Sequence, residues 1–186
     1  MVAFDEVLRI DLIRYTNRKV SRWNIVRTFF AKAGFRALVL YRFGHYFYAN
    51  KLGFLASFCQ RLMHHLCSCH IHPAAKIGTG FLIAHVGGIV VGAGTIIGNN
   101  CDIRQNVTFG GNFNKMNEEG RTQPLLEDSV SVGAGACVLG PVTIGTQSII
   151  GANSVVTRDV PAGKIAFGVP AKVIKDIWAE KSGRKL

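Results

Sequence analysis

Six side chains able to bind a metal ion lie within nine residues of this chain. They are His64, His65, Cys67, Cys69, His70 and His72. Zinc sites usually combine two ligand pairs that are well separated in sequence, whereas these residues are one or two positions apart and no second pair follows. The sequence therefore predicts no metal site, and the segment is interpreted as a helix end that leads into the next structural unit.

Downstream of this segment, an aliphatic residue recurs every six positions. The hexads begin at Ile71, Ile77, Ile83, Val91, Ile97, Ile103, Leu126, Val132, Val138, Ile144, Ile150 and Val156, with two residues inserted before Val91. Hexapeptide periodicity is typical of a β-helix, in which stacked coils bury the aliphatic position in a shared core. An antiparallel sandwich, the alternative, would show period-two alternation instead. Three hexads close one triangular coil, so the sequence predicts a mainly β protein with about four coils.

The repeat divides the chain into three predicted regions. Residues 1–70 are expected to form an α-helical region, broken near Asn50 to Gly53, and residues 71–161 the β-helix. Residues 162–186 are expected to form a tail, and the apolar spacing from Ala171 to Lys185 predicts a short helix in it.

One stretch interrupts the hexads. Between Phe109 and Leu126 the six-residue periodicity is lost, and residues 110–124 are mostly polar and rich in Asn, Gly and Glu. A long loop within a compact repeat is usually functional or disordered. We expect residues 110–124 to be a functional extension, because the repeats around them are rigid.

Composition indicates a cytoplasmic protein. No apolar stretch reaches the roughly 18 residues of a membrane-spanning helix, and Asp5 and Glu6 stand where a secretory signal would be basic. The five cysteines are odd in number and scattered, which favours reduced thiols in a reducing compartment.

The formal net charge is +11, and basic residues are dense in the N-terminal third among many aromatic residues. Three interpretations stay open: packed amphipathic helices with a solvated basic face, peripheral contact with an anionic membrane surface, and nucleic-acid binding. Helix packing is the default, and nucleic acid is not expected as a partner because no recognition motif is present.

Several segments resemble a known family. They are GFRALVLYRFGH (34–45), IHPAAKIGTGFLIAHVGGIVVGAG (71–94), NVTFGG (106–111) and SVVTRDVPAGKIAFGVPAKVI (154–174). These segments resemble the serine acetyltransferase group of the left-handed β-helix acyltransferases. The resemblance implies a left-handed coil, acetyl coenzyme A (acetyl-CoA) as donor, and a homotrimer with active sites between neighbouring β-helices. Whether trimers pair into hexamers stays open.

The resemblance also assigns a catalytic residue. The family's general base is a histidine in the sequence aspartate-histidine-alanine-threonine-glycine, which matches His85 within AHVGG at the two-residue insertion. An insertion at that point would lift the side chain out of the regular wall. A neutral imidazole can accept the proton of a hydroxyl as its oxygen attacks a thioester.

Two carboxylates of the family pattern are missing around this histidine. The aspartate that supports it falls at His70, and the aspartate just before it falls at Ala84. An orienting carboxylate would have to come from Asp102, or from Glu118 or Glu119 in the extended loop of a neighbouring subunit. The ordinary interpretation of all three is solvated surface charge.

The acceptor-binding motif also departs from the family. Its arginine-histidine-proline segment aligns with residues 122–124, Thr-Gln-Pro, and Arg121 lies one position away as a substitute carboxylate clamp. We therefore expect the acceptor to be a sugar hydroxyl of a polysaccharide or its precursor. The alternatives are serine O-acetylation and a non-catalytic β-helix scaffold. The retention of His85 argues against the scaffold.

Residues for the donor are carried over by motif from the family's coenzyme A groove. They are Gly110, Gly111, Gly133, Ala134, Gly135, Ala152, Thr157, Arg158 and Lys172. Basic side chains among them would suit the phosphates of the coenzyme. The small residues have an ordinary explanation as well, because every corner of a hexad coil favours Gly or Ala.

Overall fold

The structure is a computed structural model that describes residues 4–16, 21–113 and 115–177. Its helices are α1 (Phe4–Tyr15), α2 (Arg22–Ala31), α3 (Ala33–Ala49) and α4 (Gly53–Cys67). Its strands are β1 (Cys69–Ile71), β2 (Lys76–Ile77), β3 (Leu82–Ile83), β4 (Ile89–Val91), β5 (Ile96–Ile97), β6 (Asp102–Ile103), β7 (Thr108–Gly110), β8 (Leu125–Leu126), β9 (Ser131–Val132), β10 (Cys137–Leu139), β11 (Thr143–Ile144), β12 (Ile149–Ile150), β13 (Val155–Val156), β14 (Lys164–Phe167) and β15 (Lys172–Asp176).

Successive strands fall in turn on three parallel sheets, which wrap one core. Face A contains β1, β4, β7, β10 and β13; face B contains β2, β5, β8 and β11; face C contains β3, β6, β9, β12 and β14, with β15 added antiparallel at its end. All twelve predicted hexad positions are buried, and none is more than 8% exposed. The predicted β-helix with an N-terminal helical region is therefore confirmed.

The β-helix has about five coils rather than the predicted four. Phe109 continues the six-residue beat from Ile103 and is fully buried on face A, so the repeat persists one hexad further than expected. The last coil closes through a bridge between Ile144 and Val160 and through β14, which pairs with β12. An aromatic residue and an isolated bridge do not stand out in a search for aliphatic hexads.

The tail does not begin with the predicted helix. Lys172–Asp176 forms β15, which pairs antiparallel with β14 and therefore satisfies backbone groups that the last strand would otherwise expose. The final coil runs through Phe167, beyond the predicted boundary at residue 161. The rest of the predicted helix, residues 178–185, lies outside the described residues.

The helical region packs on the first coil. α3 and α4 form an antiparallel pair of helices joined at residues 50–52, and α1 and α3 both contact β3. No helix in the described part of the chain is long and apolar enough to cross a membrane.

Candidate active site

His85 lies on the turn that leads from face C to face A in the first coil. The turn, residues 84–88, follows β3 and precedes β4, and it is longer than the corresponding turns of higher coils. Gly88 adopts a positive φ of 63°, and a side chain there would meet Asn106 of the next coil at 2.1 Å. The inserted turn therefore presents an exposed imidazole beside the regular wall, as the sequence predicts.

His85 lines a cleft between its turn and the helices. The cleft has a volume of about 410 Å³, and it is lined by Arg14, Tyr15, Lys32, Ala33, Gly34, Leu82, Ile83, Ala84, His85 and Val86. Two of these side chains are cationic and none is acidic. An anionic group of a substrate would therefore find favourable charge next to a candidate general base.

Tyr15 fixes β3, the strand that leads into the turn of His85. Its hydroxyl accepts a hydrogen bond from the Ile83 N–H at 2.6 Å, two residues before the histidine. Burial raises the pKa of Tyr15 above its ordinary value, so the phenol stays neutral. Gly34 of α3 packs against the same strand. A Cβ at this position would lie 1.9 Å from the Ile83 carbonyl oxygen.

A buried ion pair anchors the same helices. Asp11 of α1 accepts from Arg42 Nε at 2.9 Å, and both side chains are nearly inaccessible to solvent. Arg42 also donates to the carbonyls of Ile77 and Gly78, each at 2.6 Å, and Gly80 N–H donates to Asp11 at 2.8 Å. This network holds α1 and α3 against the first coil, and sequence reasoning missed it. The available signal was a charged residue inside each of two apolar runs.

Four predicted donor residues stack above His85. The turns from face C to face A form one edge of the β-helix, here called the C–A edge, which contains residues 84–88, 104–107, 133–136 and 151–154. Its turns are joined by hydrogen bonds from Asn106 N–H to Gly87 O, Gly135 N–H to Gln105 O, and Asn153 N–H to Ala134 O. The C–A edge therefore contains His85 in its first turn and Gly133, Ala134, Gly135 and Ala152 in higher turns.

The other predicted donor residues lie elsewhere in the single chain. Gly110 ends β7 and Gly111 begins the extended loop, and Thr157 and Arg158 are exposed at the turn that follows β13. All four belong to the edge between faces A and B, here called the A–B edge. Lys172 lies on β15, exposed at the end of face C. One chain thus distributes the nine residues over two edges and an end strand.

Each predicted acceptor residue has a partner other than His85. Arg121 donates to Val142 O and to Thr143 Oγ1, both at 2.9 Å, so its guanidinium ties the extended loop to the fourth coil. His70 Nε2 lies 3.1 Å from Gln60 Nε2. Asp102 accepts from Ser131 Oγ at 2.6 Å and pairs with Arg104 at 3.3 Å.

No described residue forms a hydrogen bond with the His85 imidazole. The other proposed carboxylates, Glu118 and Glu119, are exposed on the extended loop at the A–B edge. Within one described chain, the orienting carboxylate expected from the family is therefore absent from the histidine.

The six possible metal ligands are dispersed. His64 and His65 are exposed in the last turn of α4, and Cys67 and Cys69 are buried, with their thiols donating to Ala33 O and Cys67 O. His72 Nδ1 accepts from Ala74 N–H at 3.0 Å. Among the described residues, no group of three or more His, Cys, Asp or Glu side chains is arranged to hold a metal ion.

Comparison with known proteins places the chain in a family. The model of the bacterial transferase hexapeptide (six repeats) matches residues 124–158. A serine acetyltransferase of Synechococcus elongatus is 42% identical over 141 residues, which cover 76% of this chain and 57% of that protein. A serine acetyltransferase of Bacillus pumilus is 34% identical over 171 residues, which cover 92% of this chain and 77% of that protein. The chain belongs to the serine acetyltransferase family.

Solved structures of the family have the same fold. Neisseria gonorrhoeae serine acetyltransferase in complex with serine matches with a TM-score of 0.81 and 33% identity, over 92% of this chain and 69% of that chain. A serine acetyltransferase in complex with CoA matches with a TM-score of 0.76 and 36% identity, over 90% of this chain and 68% of that chain. The chain nevertheless spans only about half the length of several curated relatives, 57%, 42% and 54%.

These relatives correct the acceptor predicted from the sequence. A sugar hydroxyl of a polysaccharide was expected because the family's acceptor motif is altered at residues 122–124 and its aspartates at residues 70 and 84. That prediction is wrong, because curated relatives that are 34–42% identical over most of the chain are serine acetyltransferases. Similarity over more than 140 residues outweighs a few departures in short motifs.

Proposed function

We propose that this chain catalyses the acetyl-CoA-dependent O-acetylation of L-serine, with His85 as the general base. The observation that carries the proposal is the exposed imidazole of His85 on its inserted turn, in a cleft that also contains Arg14 and Lys32. The names of the relatives support acetyl transfer to serine. The cytoplasmic location predicted from the sequence is part of this proposal.

His85 moves one proton in the reaction. Acetyl-CoA supplies an activated thioester carbonyl. As the serine oxygen forms its bond to that carbonyl carbon, the His85 imidazole accepts the hydroxyl proton, and it then returns the proton to the sulfur when the carbon–sulfur bond breaks. Tyr15 and Gly34 position the strand beneath the histidine. A positioned base of this kind contributes about 10²–10⁴-fold to the rate.

The C–A edge is suited to hold the donor close to this base. Ala134 and Ala152 carry the smallest side chains with a Cβ, and Gly135 carries none, so these three positions add little side-chain bulk to the edge above His85. Amide groups of the donor can therefore approach the backbone of the turns. Gly133, Ala134, Gly135 and Ala152 are the residues that we propose to line the arm of the coenzyme.

The A–B edge completes the site from a neighbouring subunit in this proposal. The single chain keeps Gly110, Gly111, Thr157 and Arg158 on a different edge from His85, and a homotrimer of β-helices would place one edge of each type together. Arg158 would then supply positive charge to the coenzyme phosphates. Sedimentation equilibrium should give three times the mass of one chain, and a monomeric enzyme with full activity would contradict this arrangement.

Lys32 is proposed to bind the carboxylate of serine. The family's carboxylate clamp is absent at residues 122–124, and Arg121 is engaged by Val142 and Thr143. Lys32 lines the cleft with its charged group accessible to a ligand. A charge-assisted hydrogen bond at an accessible site is worth about 1.5 kcal/mol, which is about tenfold in affinity.

Replacing Lys32 by methionine should therefore raise the KM for L-serine about tenfold and leave the KM for acetyl-CoA unchanged. L-Serinamide, which lacks the carboxylate, should be a poor acceptor for the native enzyme and should lose nothing further in the variant. Lys51→Met, at an exposed lysine between α3 and α4, is the matched control. Equal KM values for L-serine in native and Lys32→Met enzymes would remove Lys32 from the site.

The activity itself is tested by the release of coenzyme A thiol from acetyl-CoA. The rate should depend on the concentration of L-serine and saturate. Thiol release that does not change when L-serine is added would contradict the proposed function.

A further inference from the structure

The positive charge of the chain is concentrated in one continuous segment. Residues 12–101 contain eleven Lys and Arg residues and no Asp or Glu, so they carry the whole formal net charge of +11. The other 96 residues contain eleven basic and eleven acidic residues and sum to zero. The segment includes α2, α3 and α4 in full. Residues 1–70, the helical region, contain eleven basic and three acidic residues, so most of the net charge of the protein lies in this region.

The helix α2 exposes an apolar face. Trp23, Val26 and Phe30 are spaced as i, i+3 and i+7, which places them on one side of the helix. They are 72%, 47% and 72% exposed. Arg22 and Arg27 flank this row and are also exposed. Phe30 meets the ring of Phe29 edge to face at 5.3 Å, yet most of its surface, like that of Trp23, stays exposed in the described part of the chain.

The helix α4 adds a second exposed apolar row. Phe54 and Phe58 are spaced as i and i+4, are 84% and 56% exposed, and line a shallow hollow with Arg61. Leu66, at the end of the same helix, is also exposed. The C-terminal ends of α2 and α4 lie close together, because the Arg36 guanidinium reaches both Phe30 O and Leu66 O at 3.5 Å.

We propose that this face, defined by Trp23, Phe30, Phe54, Phe58 and Leu66, binds the surface of an anionic lipid bilayer. Exposed aromatic side chains surrounded by arginine, on helices without acidic residues, suit the headgroup region of a membrane. A second copy of the chain does not suit this face, because self-association would bring two acid-free, basic surfaces together. The helices would lie on the bilayer and would not cross it.

Sedimentation with lipid vesicles tests the proposal on the native protein. The native chain should bind vesicles of phosphatidylcholine mixed with phosphatidylglycerol, and binding should fall with added salt because the charges at the surface are screened. Vesicles of phosphatidylcholine alone should bind it weakly. Equal binding to both kinds of vesicle, or to neither, would overturn the proposal.

A triple variant, Trp23→Ser, Phe30→Ser and Phe58→Ser, should bind the anionic vesicles about tenfold more weakly. Its acetyl transfer to serine in solution should not change, because these residues lie outside the cleft. The control is Ile174→Ser, which removes an exposed apolar side chain from β15. Unaltered vesicle binding by the triple variant would refute the assignment of this face. Concentration-dependent self-association that the triple variant abolishes, without vesicle binding, would assign the face to a second copy instead.

Discussion

Replacing His85 by alanine is expected to lower kcat by about 10²–10⁴-fold, with a smaller effect on the KM for acetyl-CoA. The reason is that the variant loses the group that takes the proton of the acceptor hydroxyl. Because His85 is exposed and no described hydrogen bond is removed, the free energy of unfolding should not change. Initial rates of thiol release with saturating L-serine measure the effect.

The matched control for this experiment is His65→Ala. His65 is exposed in the last turn of α4 and does not line the cleft, so its replacement should leave kcat within the error of the assay. Activity of His85→Ala close to that of the native enzyme would show that another group acts as the base. The thermal midpoint of each variant identifies any loss that is due to unfolding.

Replacing Asp11 by alanine is expected to destabilise the protein by about 3–5 kcal/mol, because it leaves the Arg42 guanidinium buried without its counter-ion. The same change removes the acceptor of the Gly80 N–H. Since Arg42 and Asp11 join α1 and α3 to the first coil, the loss should also loosen the wall of the cleft around Tyr15. Urea unfolding at a fixed protein concentration measures the effect, because the stability of an oligomer depends on concentration.

Asp5→Ala is the control for this prediction. Asp5 pairs with Arg9 at 2.9 Å on the surface of the same helix, and both side chains are more than half exposed. Exposed ion pairs of this kind contribute about 0.3–0.5 kcal/mol. An effect of Asp11→Ala as small as that of Asp5→Ala would show that the buried network does not hold the helices in place.

The hexads predicted the fold because the same packing requirement recurs in every coil. Each coil needs an inward aliphatic residue at the same point, so the periodicity survives substitutions elsewhere in the hexad. The hexad at Phe109 was not predicted because its inward residue is aromatic rather than aliphatic and lies just before the extended loop. The tail was misassigned because the spacing of Val173 and Ile177 fits a helix, whereas the free edge of β14 selects a strand over Lys172–Asp176. Edge pairing of this kind depends on where the coil ends, which periodicity does not show.

Only part of the candidate site could be predicted from the sequence. The position of His85 could be predicted because its motif and its insertion are both local in the sequence. The partners of its strand could not, because Tyr15 and Ile83 are 68 residues apart and Asp11 and Gly80 are 69 residues apart. Contacts over such distances depend on how the helices dock. The predicted roles of Arg121 and Asp102 at the acceptor remain without support in the structure, since both side chains have other partners.

The measurement that tests the central proposal most directly is mass-spectrometric identification of the product formed from acetyl-CoA and L-serine. The native chain should form O-acetyl-L-serine together with an equal amount of free coenzyme A, and His85→Ala should form neither above background. Native protein that assembles correctly and binds acetyl-CoA, yet yields no O-acetyl-L-serine, would contradict the proposed function.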